Sequence, residues 1–113
     1  MAKRKSTARP SDTYPGAYDL YSASGQFVAF IDSEDVESAI QYRWRRNTSY
    51  TMRTFNLPTG KQTTDLLQRL VARNLGYDLA EMNVRFRSGD SRDCRRENLL
   101  VVTRKNSKFR ASD

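Results

Sequence analysis

The chain has 113 residues, 37% of them hydrophobic, which makes one modest domain and leaves no room for a large cofactor-binding domain beside a substrate domain. One cysteine and no histidine exclude an internal disulfide and any Cys/His zinc site, and no apolar run reaches the length of a membrane span. The net charge of +7 is segregated, with +4 in residues 1–10, −2 in residues 11–81 and +5 in residues 82–113, a distribution that a polyphosphate partner rewards through Coulomb attraction and counterion release.

Residues 1–13 are small, polar and basic, with Lys3, Arg4, Lys5, Arg9 and Pro10, and read as a flexible arm outside any core. No apolar stretch follows to make a secretory signal, so a cytoplasmic setting is expected, in a bacterial host or a virus-infected cell. Residues 14–81 read as the strand and helix part of the domain. There "QFVAFID", after Gly25, predicts a strand. Asp32 or Ser33 would cap a helix over "SEDVESAIQY", whose acids Glu34, Asp35 and Glu37 suit the positive end of its dipole. Val36, Ala39 and Ile40 form its apolar stripe.

"YRWRR" and "YTMRTF" alternate apolar with basic residues around the turn residues 47–49, which predicts a hairpin. Trp44 on it suits a core position better than stacking on a base. "LPTGKQTT" reads as a turn leading into a helix over "DLLQRLVARNLG", with Leu66, Leu67, Leu70, Val71 and Leu75 at helical spacing and Gly76 as the stop. Residues 82–113 then repeat strand, loop, strand and helix as "NVRF", the polar "RSGDSRDCRREN", "LLVV" and "RKNSKFRAS", the last capped by Thr103. The fold class expected is α+β, a small antiparallel sheet with two helices followed by a C-terminal ββα unit.

"LLQRLVARNLG" followed by "VRFRSGDSRDCRRENLLVVTRKNS" resembles the HNH homing endonucleases of phage and bacterial type. The shared framework is Arg69, Leu70 and Val71, then Val84, Gly89, Asp90, Asp93, Arg95 to Leu99 without a break, and Val101 to Arg104. With the upstream "IDSEDVESAIQYRW" the likeness covers residues 26–107. The resemblance implies the ββα unit and a nuclease scaffold. In that family an Asp-His pair on the first strand and an Asn on the last helix surround a divalent metal, and the His activates water.

Here those positions hold Arg85, Phe86 and Ser107, and an earlier Leu-His is Leu67-Gln68. The resemblance therefore implies a degenerate member with no catalytic residues, no metal and no cofactor, which keeps a DNA-docking scaffold. An arginine where a metal stood can offer a phosphate charge and two directed hydrogen bonds. The expected function is non-catalytic nucleic-acid binding, to double-stranded DNA before RNA. The candidate contacts are Arg85, Arg87, Arg92, Arg95, Arg96, Arg104, Lys105, Lys108 and Arg110, with Lys3, Arg4 and Lys5 on the arm.

Blander readings stand beside these. Alternation on a short strand would expose Arg85 and Arg87 while Val84 and Phe86 pack inward. Arg95 or Arg96 can pair with Asp93 or Glu97, and Asn98 suits closing the loop. Tyr14, Tyr18 and Tyr21 can pack the arm or stack on single-stranded bases, and Cys94 is an incidental replacement before it is a redox switch. Two other functions remain open. One is a protein- or RNA-binding component or inhibitor in a large phage or bacterial assembly; the other is an active metal-dependent nuclease built on Asp90, Asp93 and Glu97. A membrane-surface role lacks the apolar helix face it requires.

Overall fold

A computed structural model describes residues 5–103. Among those residues the fold is α+β, with three small antiparallel sheets and two α-helices. The first sheet joins β1 (Thr7–Pro10), β2 (Ala17–Tyr21) and β3 (Phe27–Asp32) in that order. Helix α1 (Ser33–Ala39) leads to a second sheet of β4 (Arg45–Arg46), β5 (Thr51–Asn56) and β6 (Gln62–Leu66). Helix α2 (Leu67–Asn74) leads to the hairpin of β7 (Met82–Phe86) and β8 (Leu99–Thr103). Among the described residues no helix is long and apolar enough to cross a membrane.

Leu20, Val28, Ala29 and Ile31 of the first sheet meet Ala39, Trp44, Leu67, Leu70 and Cys94 in one core, against which Val36, Ile40 and Phe86 also pack. Trp44 is buried, and its indole N–H donates to the Ala39 carbonyl at 2.8 Å, the polar partner that a buried indole requires. Asn47 shapes the β4–β5 turn, its Oδ1 accepting the Ser49 and Tyr50 N–H groups at 2.7 Å each. Gly76 follows α2 at φ 101°, a conformation that costs a residue with a Cβ and stops the helix as the sequence predicts.

Three expectations need correction. From residue 5 to residue 13 the chain is not a flexible arm, because β1 pairs with β2 in the register Thr7↔Tyr21 to Pro10↔Tyr18. Ser6 is buried beside it, donating its N–H to the Tyr42 carbonyl and accepting the Trp44 N–H on its hydroxyl. A short polar strand at a sheet edge has the composition of a loop, and Pro10 is tolerated at such an edge.

The helix expected to include Asp65 and Leu66 starts at Leu67. Those two residues pair with Arg53 and Met52 as the end of β6, and the buried Asp65 takes a two-point contact from Arg73 at 2.6 and 3.2 Å. Leu75 is exposed.

The third correction is at α1, where Asp32 occupies the cap position but makes no side-chain cap. Its Oδ2 instead accepts the Arg96 N–H at 2.7 Å. Thr103 ends β8. The helix expected after it, with Arg104, Lys105, Ser107, Lys108 and Arg110, lies outside the described residues, as do Lys3 and Arg4.

Candidate nucleic-acid interface

The loop between β7 and β8 is closed from inside. Arg87 N–H donates to the Asn98 carbonyl at 2.7 Å, and Ser88 N–H donates to Asn98 Oδ1 at 3.0 Å. Asn98 Nδ2 reaches across to the Asp93 carbonyl at 2.9 Å. One buried amide thus ties both limbs of the loop, as its residue type predicts. The loop is also stitched to β3, since Phe30 N–H donates to the Arg92 carbonyl and Cys94 N–H donates back to the Phe30 carbonyl. That exchange buries Cys94, and burial raises its thiol pKa. Its two arginine neighbours in sequence therefore do not make it a reactive thiolate.

The five loop and strand arginines divide into two groups. Arg95 forks onto Asp93 through Nε and Nη2 at 2.8 Å each, gives Nη1 to Glu97 at 2.8 Å, and lies 3.6 Å over the Tyr14 ring. Arg96 forks onto the fully buried Asp35 at 3.0 and 2.9 Å. Hydrogen bonding to those carboxylates is the main reason both guanidinium groups hold their protons more tightly than usual. These two expected phosphate contacts are engaged within the protein, because each has a carboxylate partner that is already desolvated. Arg85, Arg87 and Arg92 are exposed.

Strand β7 explains the exposed pair. Phe86 lies opposite Leu99 and packs on the core, with Tyr50 stacked on it at 6.3 Å between ring centres. Its neighbours Arg85 and Arg87 must then point to the other side of the strand, with Arg85 opposite the exposed Leu100. Asp90, Asp93 and Glu97 do not converge on one point. Asp90 Oδ1 accepts the Arg92 N–H, while Arg95 stands between Asp93 and Glu97. Among the described residues no three acidic or cysteine side chains gather where they could hold a metal.

A cationic group elsewhere escaped the sequence reading. Arg43 and Arg45 are exposed, and Arg46 reaches the loop, donating Nη2 to Ser91 Oγ at 3.0 Å. The signal was "RWRR", three arginines in four residues, hidden because the charge of residues 11–81 sums to −2. Lys5 is exposed as well, whereas Arg69 is a scaffold residue that donates to the carbonyls of Leu79 and Met82. Tyr14 packs edge-on against Phe30 at 4.8 Å and Tyr18 lies against the core, so these tyrosines hold the N-terminal segment in place. Comparison of the chain with protein-family models, with curated proteins and with solved structures gave no match.

Proposed function

We propose that this protein is a non-catalytic nucleic-acid-binding domain, directed to double-stranded DNA, built on an HNH-like scaffold whose chemistry is gone. The observation that carries the reading is the state of Phe86. At the position where the resemblance would put the water-activating histidine, the side chain packs on the core and stacks on Tyr50. The flanking Arg85 and Arg87 are exposed, and cations at those places can bind a phosphate without the means to hydrolyse it. On this reading the β7–β8 hairpin would be the two strands of the ββα unit; the helix expected to complete it falls on residues outside the described ones. The exposed arginines of β7 and the loop, with the basic chain ends, would contact the backbone of one duplex.

The test is binding of a short labelled duplex over a range of salt. Affinity should fall with a log–log slope of about −0.9 for each phosphate contacted. Reversing charge at Arg85 and Arg87 together should weaken binding to every sequence alike, with unfolding midpoints measured alongside to verify that the variants fold. A salt-independent affinity removes the electrostatic basis of the proposal. A duplex that is ignored while structured RNA or a protein from the same cell binds would shift the function to the assembly-component alternative.

A further inference from the structure

Two clefts lie side by side over the second sheet. In one, of about 370 Å³, Arg43, Arg45 and Arg46 are joined by the hydroxyls of Ser22 and Ser24 from the β2–β3 turn. In the other, of about 290 Å³, Lys5 and Arg53 line the wall. Arg43 and Thr54 belong to both. Among the described residues no carboxylate lines either cleft. Neither Arg43, Arg45 nor Arg46 forms an ion pair among those residues, while Arg53 reaches Asp65 at 3.5 Å outside the clefts.

Cations grouped in adjoining clefts without a lining carboxylate among the described residues make a local field that attracts an anion. Arg46 is less exposed than Arg43 and Arg45, and burial, then the positive charge of Arg92 on the neighbouring loop, lowers its guanidinium pKa. Two of the lining arginines, Arg46 and Arg53, have an Nε that is closed to solvent and has no acceptor among the described residues. Planar guanidinium forks flanked by hydroxyls suit the several oxygens of a phosphate. Two such clefts sharing a wall suit an anion that repeats, which a single free phosphate or carboxylate does not.

We propose that the adjoining clefts take phosphate oxyanions, as two neighbouring phosphates of a nucleic-acid backbone. This rests on the nucleic-acid reading and extends it to residues that the charge of the chain ends did not indicate. Arg46 connects the two regions, because the same side chain lines the first cleft and holds Ser91 of the β7–β8 loop.

The full chain is tested with a labelled duplex across KCl concentrations, beside the variants Arg43→Gln/Arg45→Gln and Arg43→Lys/Arg45→Lys. Both sites are exposed, and matching unfolding midpoints verify that the variants fold. The glutamine pair should bind roughly tenfold more weakly, with a salt slope shallower by about 1.8, two contacts at about 0.9 each. The lysine pair should recover the slope.

Wild-type binding with an unaltered slope in the glutamine pair overturns the clefts and leaves the proposed function standing. If the wild type ignores duplex, the proposed function fails, and sodium pyrophosphate decides the clefts through the side-chain Nε–H resonances of Arg43, Arg45, Arg46 and Arg53. Shifts there uphold a phosphate site and assign it to a free ligand, whereas unmoved resonances overturn it. Poly-glutamate that displaces duplex as well as competing DNA does, at equal charge, overturns the site in favour of an acidic protein.

Discussion

Arg96 and Asp35, 61 residues apart in the chain, meet in a two-point ion pair that joins the β7–β8 loop to helix α1. Asp35 is fully buried and also accepts Asn74 Nδ2 at 2.9 Å, whereas the Arg96 side chain keeps 28% of its surface in water. The partners are therefore unequal. Asp35→Asn leaves an arginine that can turn outward, while Arg96→Met leaves a carboxylate that cannot. We expect Arg96→Met to cost about 3–5 kcal/mol, the range for stranding one charge of a buried pair, and Asp35→Asn to cost less. Urea unfolding of both variants checks this; an Arg96→Met loss smaller than that of Asp35→Asn would show that the pair is held by something other than the burial of Asp35.

Ser6 gives the second prediction. Its hydroxyl accepts the Trp44 N–H at 2.9 Å inside the protein, so Ser6→Ala strands a buried backbone donor. The expected loss is about 1–3 kcal/mol, read by thermal or urea unfolding. Deleting residues 1–9 should cost more, because it removes Ser6 together with most of β1. A deletion variant with the stability of the full chain would return that segment to the flexible arm its composition suggests.

Cys94 sets a dependence on alkaline pH. Burial raises the native thiol pKa above its ordinary value of 9.0, so above that pH the unfolded chain can release a proton that the native chain keeps. A group raised in the native state contributes stability that is complete below its unfolded pKa and lost as pH rises. From about pH 9 the stability of wild type relative to Cys94→Ala should fall by about 1.4 kcal/mol for each pH unit. Denaturant unfolding from pH 7 upward measures it. The same burial predicts that Ellman's reagent modifies Cys94 at the rate of opening of the native state; immediate modification would contradict the buried position.

Much of this fold was legible because its elements announce themselves locally. The strand from Phe27, the hairpin around Asn47, the buried Trp44, the α2 core residues Leu67, Leu70 and Val71, and the loop-closing Asn98 all follow from periodicity or turn chemistry. What escaped depends on distant partners. Asp35 suits the start of a helix for its dipole, and its burial requires Arg96 and Asn74. β6 hid behind the leucines that follow it, since Asp65 and Leu66 fit a helix until β5 claims them. Of the candidate interface, the exposure of Arg85 and Arg87 followed from alternation with Phe86. The fate of Arg95 and Arg96 did not, because each had two readings that only the positions of Asp93, Glu97 and Asp35 could separate. Arg43, Arg45 and Arg46 stay hidden for a simpler reason, since the acids elsewhere in residues 11–81 outweigh them in net charge.

The last prediction is catalytic silence. Incubated with supercoiled plasmid and Mg²⁺ or Mn²⁺, the purified protein should leave the DNA unnicked. The proposed scaffold presents Arg85 where a metal ligand would be needed, and Phe86 has no group to activate water. Placing a histidine there has a structural cost, because Phe86→His gives up contact with the core and the stack on Tyr50. The stronger test is on the wild type, and the choice of control matters. Asp93→Asn is a poor control, since Asp93 is buried and holds Arg95 by two points, so lost activity there would mean only a damaged loop. Asp90 is exposed and its side chain accepts the Arg92 N–H, so Asp90→Asn removes a carboxylate charge while an amide oxygen can still cap the turn. Nicking that survives repurification, needs the metal and disappears in Asp90→Asn would sink the non-catalytic reading and move the chemistry to the acidic residues of the loop.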